Sequence, residues 1–235
     1  MISQRRFIIG DIHGCRKTFQ KLVMENIRLT SEDSLYLLGD YIDRGPDSKG
    51  VIDYILELQD RSFRVFPLIG NHEFLFLKAW ENPAYFDLWS FNGSRQTLES
   101  FGIPHEKSQL SESMLRIPEK YVDFMKSLPM YIETDDFFFV HAGLGTGMTD
   151  PLSDVDSLLW TRSEDHNDAI LGQKILIHGH TPVPLEIIRA QIEDKDNKKV
   201  INLDGGCVMN LRPNLGNLVG MDLDTFRLFS EKNCE

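Results

Sequence analysis

The sequence predicts an α/β fold of layered sheets and helices, and two observations lead there. Short apolar runs recur along the chain, each ending in a polar, glycine-containing loop, and amphipathic helical segments lie between them. Uninterrupted apolar runs of this kind suit strands buried on both faces. Strand–loop–helix alternation then builds α/β layers. A length of 235 residues fits one unit, so residues 1–235 are read as a single domain.

The runs come in this order. Phe7-Ile8-Ile9 precedes Gly10-Asp11-Ile12-His13-Gly14, and Leu35-Tyr36-Leu37-Leu38 precedes Gly39-Asp40-Tyr41-Ile42-Asp43-Arg44-Gly45. Val65-Phe66-Pro67-Leu68-Ile69 precedes Gly70-Asn71-His72-Glu73, and Phe137-Phe138-Phe139-Val140 precedes His141-Ala142-Gly143. Ile175-Leu176-Ile177 precedes His178-Gly179-His180-Thr181, and Val200-Ile201-Asn202-Leu203 precedes Asp204-Gly205-Gly206. After the first loop, Phe19, Leu22 and Val23 share a helical face. After the second, Val51, Tyr54, Ile55 and Leu58 do the same, with Asp47 and Ser48 as candidate caps. Residues 74–135 concentrate Trp80, Tyr85, Phe86, Trp89 and Phe91 among the breakers Pro83, Gly93, Gly102 and Pro104. They read as a small helical insertion beside the active face. Residues 191–199 read as a solvated turn, and Leu218–Leu223 with Phe226–Phe229 as a closing hairpin around Asp224-Thr225.

Composition narrows the function. The formal net charge of -11 argues against a general nucleic-acid or anionic-membrane binder. A phosphate substrate stays open, because bound divalent cations reverse the sign locally. Cys15, Cys207 and Cys234 are odd in number and form no CxxC pair, which suits a reducing, cytoplasmic compartment. The run after Arg5-Arg6 is too short for a signal peptide, and nothing approaches a membrane span.

The chemistry lies in where the polar residues fall. Asp11, His13, Asp40, Asn71, His141 and His180 all follow the end of an apolar run. In open α/β sheets such ends converge on one edge, where ligands bind. The donors are carboxylate, carboxamide oxygen and imidazole, which suit manganese, iron or zinc. Six of them exceed one tetrahedral centre and suit a metal pair with open positions for water and substrate. Each residue alone has an ordinary reading, as a turn aspartate or a hydrogen-bonded histidine. Five loops matching in order do not.

Gly10–Gly14, Gly39–Gly45, Gly70–Glu73, His141–Gly143 and Gly179–Pro182 together resemble the signature of calcineurin-like metallophosphoesterases. Asp43-Arg44-Gly45 and Asn71-His72-Glu73 resemble the phosphoprotein phosphatase branch, and Trp89–Gly93 with Leu158–Arg162 its bacterial and phage members. The resemblance implies a four-layer α/β/β/α sandwich. It implies two divalent cations, manganese foremost, one held by Asp11, His13 and Asp40 and the other by Asp40, Asn71, His141 and His180. It implies His72 as general acid oriented by Asp43, with Arg44, Arg162 and Asn71 binding phosphoryl oxygens. His178 receives no metal role, and Glu73 reads as a helix-start residue or one that supports the ligands from behind, not as a ligand. The expected activity is hydrolysis of phosphomonoesters on phosphorylated serine or threonine of a protein or peptide. The alternatives are a diadenosine polyphosphate or other nucleotide phosphohydrolase, and a catalytically silent scaffold. The segment Gly206–Asn214 departs from the bacterial pattern and leaves substrate preference open.

Overall fold

The computed structural model describes residues 4–104, 113–145, 150–162 and 168–235. Residues 105–112 of the predicted insertion lie outside the described residues. One sheet holds β1 (Arg6–Ile9), β2 (Ser34–Leu37), β3 (Arg64–Pro67), β8 (Asn217–Asp222) and β9 (Leu228–Lys232), in the order β3-β2-β1-β8-β9. The other holds β4 (Tyr131–Glu133), β5 (Phe137–Val140), β6 (Ile175–His178) and β7 (Val200–Asn202), in that order.

Alternation along the strands explains why two sheets stack. Successive side chains of a strand point to opposite faces. In β1, Phe7 and Ile9 join the cluster of Phe19 from helix α1 (Arg16–Lys21) and Val51 and Ile55 from α2 (Ser48–Asp60). Ile8 faces the other way and packs with Phe137, Phe139, Ile177, Ile201, Val219 and Met221 between the sheets. In β5, Phe138 and Val140 turn outward against Leu158 of the helix Val155–Trp160. Three apolar layers separated by two sheets make the predicted α/β/β/α sandwich, and both-face burial is why the strands read as solid apolar runs.

β1, β2 and β3 are mutually parallel, as are β5, β6 and β7. Their carboxyl ends therefore carry Asp11, Asp40, Asn71, His141, His180 and Asp204 to the sheet edges. Phe19, Leu22 and Val23 are buried as expected, although the helix passes into a π-helical turn over Leu22–Ile27. Asp47 caps α2 by accepting from Gly50 N at 2.8 Å. The closing hairpin is present as the antiparallel pair β8–β9.

Two expectations need correction. The stretch 74–135 is helical in α3 (Asn71–Glu81), α4 (Phe86–Phe91), α5 (Ser94–Ser100) and the helix Glu119–Lys126, but it ends in β4, which pairs antiparallel with β5. Tyr131 stacks on Phe138, so pairing with an apolar strand overrides the helical reading. Residues 191–199 are not a plain turn but mostly helix, as the end of Leu185–Glu193 and the short helix Lys195–Lys198. Ile188 is buried on the inner face, and Gln191 below it accepts from Asn202 N. No helix among the described residues is long and apolar enough to cross a membrane.

Glu73, in the first turn of α3, ties the β2 and β3 loops together. Its carboxylate accepts from Gly70 N at 3.0 Å, Asp40 N at 2.9 Å, Tyr41 N at 2.8 Å and Ile42 N at 3.1 Å. Burial, reinforced by the Asp40 charge, pushes its pKa up to about 7 even against those donors. Glu73→Ala strands four buried N–H groups, each worth about 1–3 kcal/mol when unpaired. We expect the variant to lose at least about 3 kcal/mol of stability in urea unfolding. An unchanged midpoint would show that the loops do not need the carboxylate.

Candidate metal centre

Asp40 is the meeting point. It is buried, and its Oδ2 lies 3.4 Å from His13 Nε2 while its Oδ1 lies 3.4 Å from His141 Nε2. The backbone N–H of His72 donates to Oδ1 at 3.1 Å. Burial opposes its charge, but the surrounding imidazoles, His141 first, hold its pKa well below the carboxylate range. Burial drives His13 and His141 the other way, below the usual imidazole value, and takes His180 to about 3. His72 differs. Burial works against its charge too, yet Asp40 and the bonded Asp43 raise its pKa.

Tautomers follow from carbonyl partners. His13 Nδ1 donates to Ile42 O at 3.0 Å and His141 Nδ1 to Leu38 O at 2.8 Å, so both aim an Nε2 lone pair inward. His141 Nε2 thus faces Asn71 Oδ1 at 2.9 Å, and His180 Nδ1 faces the same oxygen at 3.1 Å. Lone pairs converging on an oxygen beside a buried carboxylate are the arrangement a cation satisfies, so these residues fit a metal. Single ligand atoms of Asp40, His141 and His180 all lie within 4.8 Å of one another.

A second such group is His13, Asp40 and His72. Asp11, which the resemblance places beside His13, joins neither group. Its two oxygens accept from His180 N at 3.2 and 3.0 Å, and burial with the charges of Asp204 and Asp40 raises its pKa. Arg44 Nη1 donates to His13 Nε2 at 2.8 Å, so a metal on that nitrogen requires Arg44 to release it. His178 stays outside both groups, with its Nδ1 on Gly179 O.

The backbone is strained here. His13, Asp40, Asp43, Arg44 and His180 all have positive φ between 46° and 70°. Such strain persists where surrounding structure over-determines it and gathers at functional sites. Gly70 and Gly179 are required by close approach. An added Cβ would lie 2.2 Å from Asp40 Oδ1 and 2.1 Å from Asp11 Oδ1, respectively.

The Asp43–His72 pair is fully buried, with Nδ1 of His72 2.7 Å from Asp43 Oδ2. Trp89 Nε1 donates to the same oxygen at 3.0 Å, and Thr97 Oγ1 donates to Oδ1 at 2.6 Å. His72 Nε2 is buried without a hydrogen-bond partner. The sequence places Trp89 in the helical insertion. It is core, yet its indole N–H holds the dyad, which no spacing signals. Asp204 was also passed over, although it follows the β7 run as the other site residues follow theirs. It is buried, with a pKa raised by burial to about 7.

Beside Asp40, Asn71 and His180 opens a cleft of about 350 Å³, lined also by Arg44, Arg162, Arg212, Asn92, Trp160 and Met209. Arg95, in the neighbouring helix α5, pairs with Glu99 at 2.8 Å.

The fold and strand-edge cluster define a phosphoesterase of the dinuclear-metal class. The family model described as calcineurin-like phosphoesterase matches residues 5–209, and the chain belongs to that family of hydrolases. A zinc-dependent endopolyphosphatase from Saccharomyces cerevisiae is 30% identical over 62% of this chain and 49% of its own length. A symmetrical bis(5'-nucleosyl)-tetraphosphatase from Chromobacterium violaceum is 29% identical over 59% of this chain and 43% of its own length. The matches thus span about half or less of these curated relatives. A solved putative diadenosine tetraphosphatase superposes with a TM-score of 0.68 at 20% identity, covering 100% of this chain and 96% of that one, which shows the shared fold.

Trp89→Phe keeps an aromatic ring but removes the indole donor to a buried charged group. We expect it to lower stability by about 1.5–3 kcal/mol, the usual worth of such a bond. Denaturant unfolding beside Thr97→Val checks this, and two unaffected midpoints would show that the Asp43 carboxylate is held by His72 alone.

Proposed function

We propose that this chain hydrolyses phosphoanhydride bonds of nucleoside polyphosphates, with dinucleoside tetraphosphates as the leading substrate class. One observation carries the reading. Arg44, Arg162 and Arg212 line a single cleft with Asp40, Asn71 and His180. A phosphomonoester presents one phosphoryl group. Three guanidiniums are matched to a chain of them, because each offers planar, multi-donor contacts to phosphate oxygens. The names of the curated relatives, an endopolyphosphatase and a tetraphosphatase, support the same bond type. The phosphoserine and phosphothreonine reading favoured by the Asp43-Arg44-Gly45 motif becomes the second choice.

We assign the metal positions to His13, Asp40, Asn71, His141 and His180, with Asp11 beside them and Asp40 shared. Manganese and zinc both suit these donors. Such a pair, when bound, supplies an activated water and neutralises phosphate charge. The chain's own residues do the rest. Arg44 and Arg162 hold equatorial phosphoryl oxygens in place. His72, whose pKa Asp40 and Asp43 raise, donates from Nε2 to the leaving oxygen. Asp43 stays oriented because Trp89 and Thr97 occupy its other acceptor directions. A dyad held this closely speaks against a silent scaffold. The substrate is a soluble phosphate compound met in the reducing compartment that three free cysteines suit.

Two measurements test this. In a panel of diadenosine tetraphosphate, phosphopeptides and p-nitrophenyl phosphate with Mn²⁺ or Zn²⁺, the dinucleotide should show the highest kcat/KM. A phosphopeptide ahead of it would return the chain to the protein phosphatases. His72→Asn should lower kcat on phosphoserine peptide by roughly 10²–10⁴-fold, the worth of a general acid. It should lower kcat on diadenosine tetraphosphate and p-nitrophenyl phosphate less, because nucleotide and nitrophenolate leave readily without a proton. Equal losses on all three would assign His72 to binding instead.

A further inference from the structure

A second hollow, of about 480 Å³, adjoins the arginine-lined cleft and shares Arg44, Asn92 and Met209 with it. One wall is Phe91 at the end of α4. Its side chain is 91% exposed, and its ring has no aromatic or cationic partner among the described residues. A bare aromatic face at the mouth of a phosphate-binding cleft is unusual in one respect: it is fixed to the site. Arg44 N donates to Gly93 O at 3.4 Å, and Gly93, at φ +114°, sits so close that an added Cβ would lie 2.8 Å from Arg44 N. The turn after Phe91 is thereby locked to the loop that carries Arg44.

Val208 and Met209 also line the hollow, from the segment whose sequence departs from the bacterial pattern. That segment is closed on itself, with Gly216 N donating to Gly206 O at 3.0 Å. It is also tied to the end of the chain, where Asn233 Nδ2 donates to Cys207 O and Lys232 Nζ to Leu215 O. Phe91 and Met209 therefore line one hollow from segments hydrogen-bonded into the fold, with the amides of Asn92 and Gln96 beside them.

We propose that this hollow is a nucleoside subsite, which takes the base of a nucleoside polyphosphate whose phosphate chain lies along the arginine cleft. The inference deepens the tetraphosphatase reading and rests on it for the cleft's occupant. A flat base can lie against an aromatic face and a thioether, and the amides of Asn92 and Gln96 can pair with its edge. Aromatic stacking on a base is tolerant of which base it is. The two hollows together fall in the size range of nucleotide-scale pockets. A peptide side chain beside a phosphoserine is the competing occupant.

The test uses p-nitrophenyl phosphate turnover as reporter, with Mn²⁺ in excess, and measures inhibition by ADP and by inorganic pyrophosphate. The wild type should bind ADP roughly 5- to 100-fold more tightly than pyrophosphate, the range expected of one stacked base. Phe91→Ala should abolish most of that ratio, and Phe91→Trp should restore it. Because the ring is exposed, neither change touches the core. Equal inhibition constants for the two compounds in the wild type would overturn the subsite. So would a Phe91→Ala variant that keeps the ratio, including one whose weakened partner is a phosphopeptide instead. Diadenosine tetraphosphate left uncleaved while ADP still competes through Phe91 would sink the tetraphosphatase reading and leave the subsite standing.

Discussion

Asp40 keeps its pKa low although it is almost wholly buried, and the rest of the strand edge is arranged around it. Burial alone would protonate it. His13, His72, His141 and His180 oppose burial, and the His72 backbone N–H adds a direct bond. The position is reached only with φ at +53°, a conformation an aspartate adopts at a cost. Glu73 offsets the cost from below by accepting the N–H groups of Asp40, Tyr41 and Ile42 together with that of Gly70. One buried carboxylate thus holds the loop that presents another. Burial first, and the Asp40 charge after it, push Glu73 toward neutrality, whereas the imidazoles keep Asp40 from following.

The same geometry divides the histidines into two kinds. His13 and His141 donate from Nδ1 to backbone carbonyls, which are neutral partners, and burial lowers their pKa. His72 donates from Nδ1 to a carboxylate and becomes easier to protonate. A neutral carbonyl partner favours the charged ring less than a carboxylate does. The insertion contributes to that second partner, because Trp89 and Thr97 reach back from α4 and α5 to hold Asp43.

Strand order explains what the sequence could disclose. Asp11, Asp40, Asn71, His141 and His180 were legible because each stands after an apolar run, and parallel pairing sends all such run ends one way. Asp204 obeyed the same rule and went unread, since a Leu-Asp-Gly-Gly stretch looks like any turn. Trp89 could not be read as a dyad partner, because burial of an indole ring and use of its N–H leave the same sequence mark. β4 was lost inside the insertion because a three-residue strand has no period of its own and takes its identity from β5. Helix Leu185–Glu193 buries chiefly Ile188 and Gln191, so its charged face read as a turn.

A metal cluster of this kind does not itself choose between an ester and an anhydride. Both present a tetrahedral phosphorus and a leaving oxygen, and both need charge neutralisation at equatorial oxygens. The choice lies in what surrounds the reacting group. In a chain of net charge -11, long-range attraction for a polyanion is absent, so recognition must be local. Arg44, Arg162 and Arg212 supply that local field within one cleft. Two of them stand on segments shared with the family motifs, and the third stands on the divergent loop 206–216. The cleft beside Asp40 is thus lined in part by a segment that contributes nothing to the bonds holding Asp40, Glu73 or the Asp43–His72 pair, so its lining can vary without disturbing them.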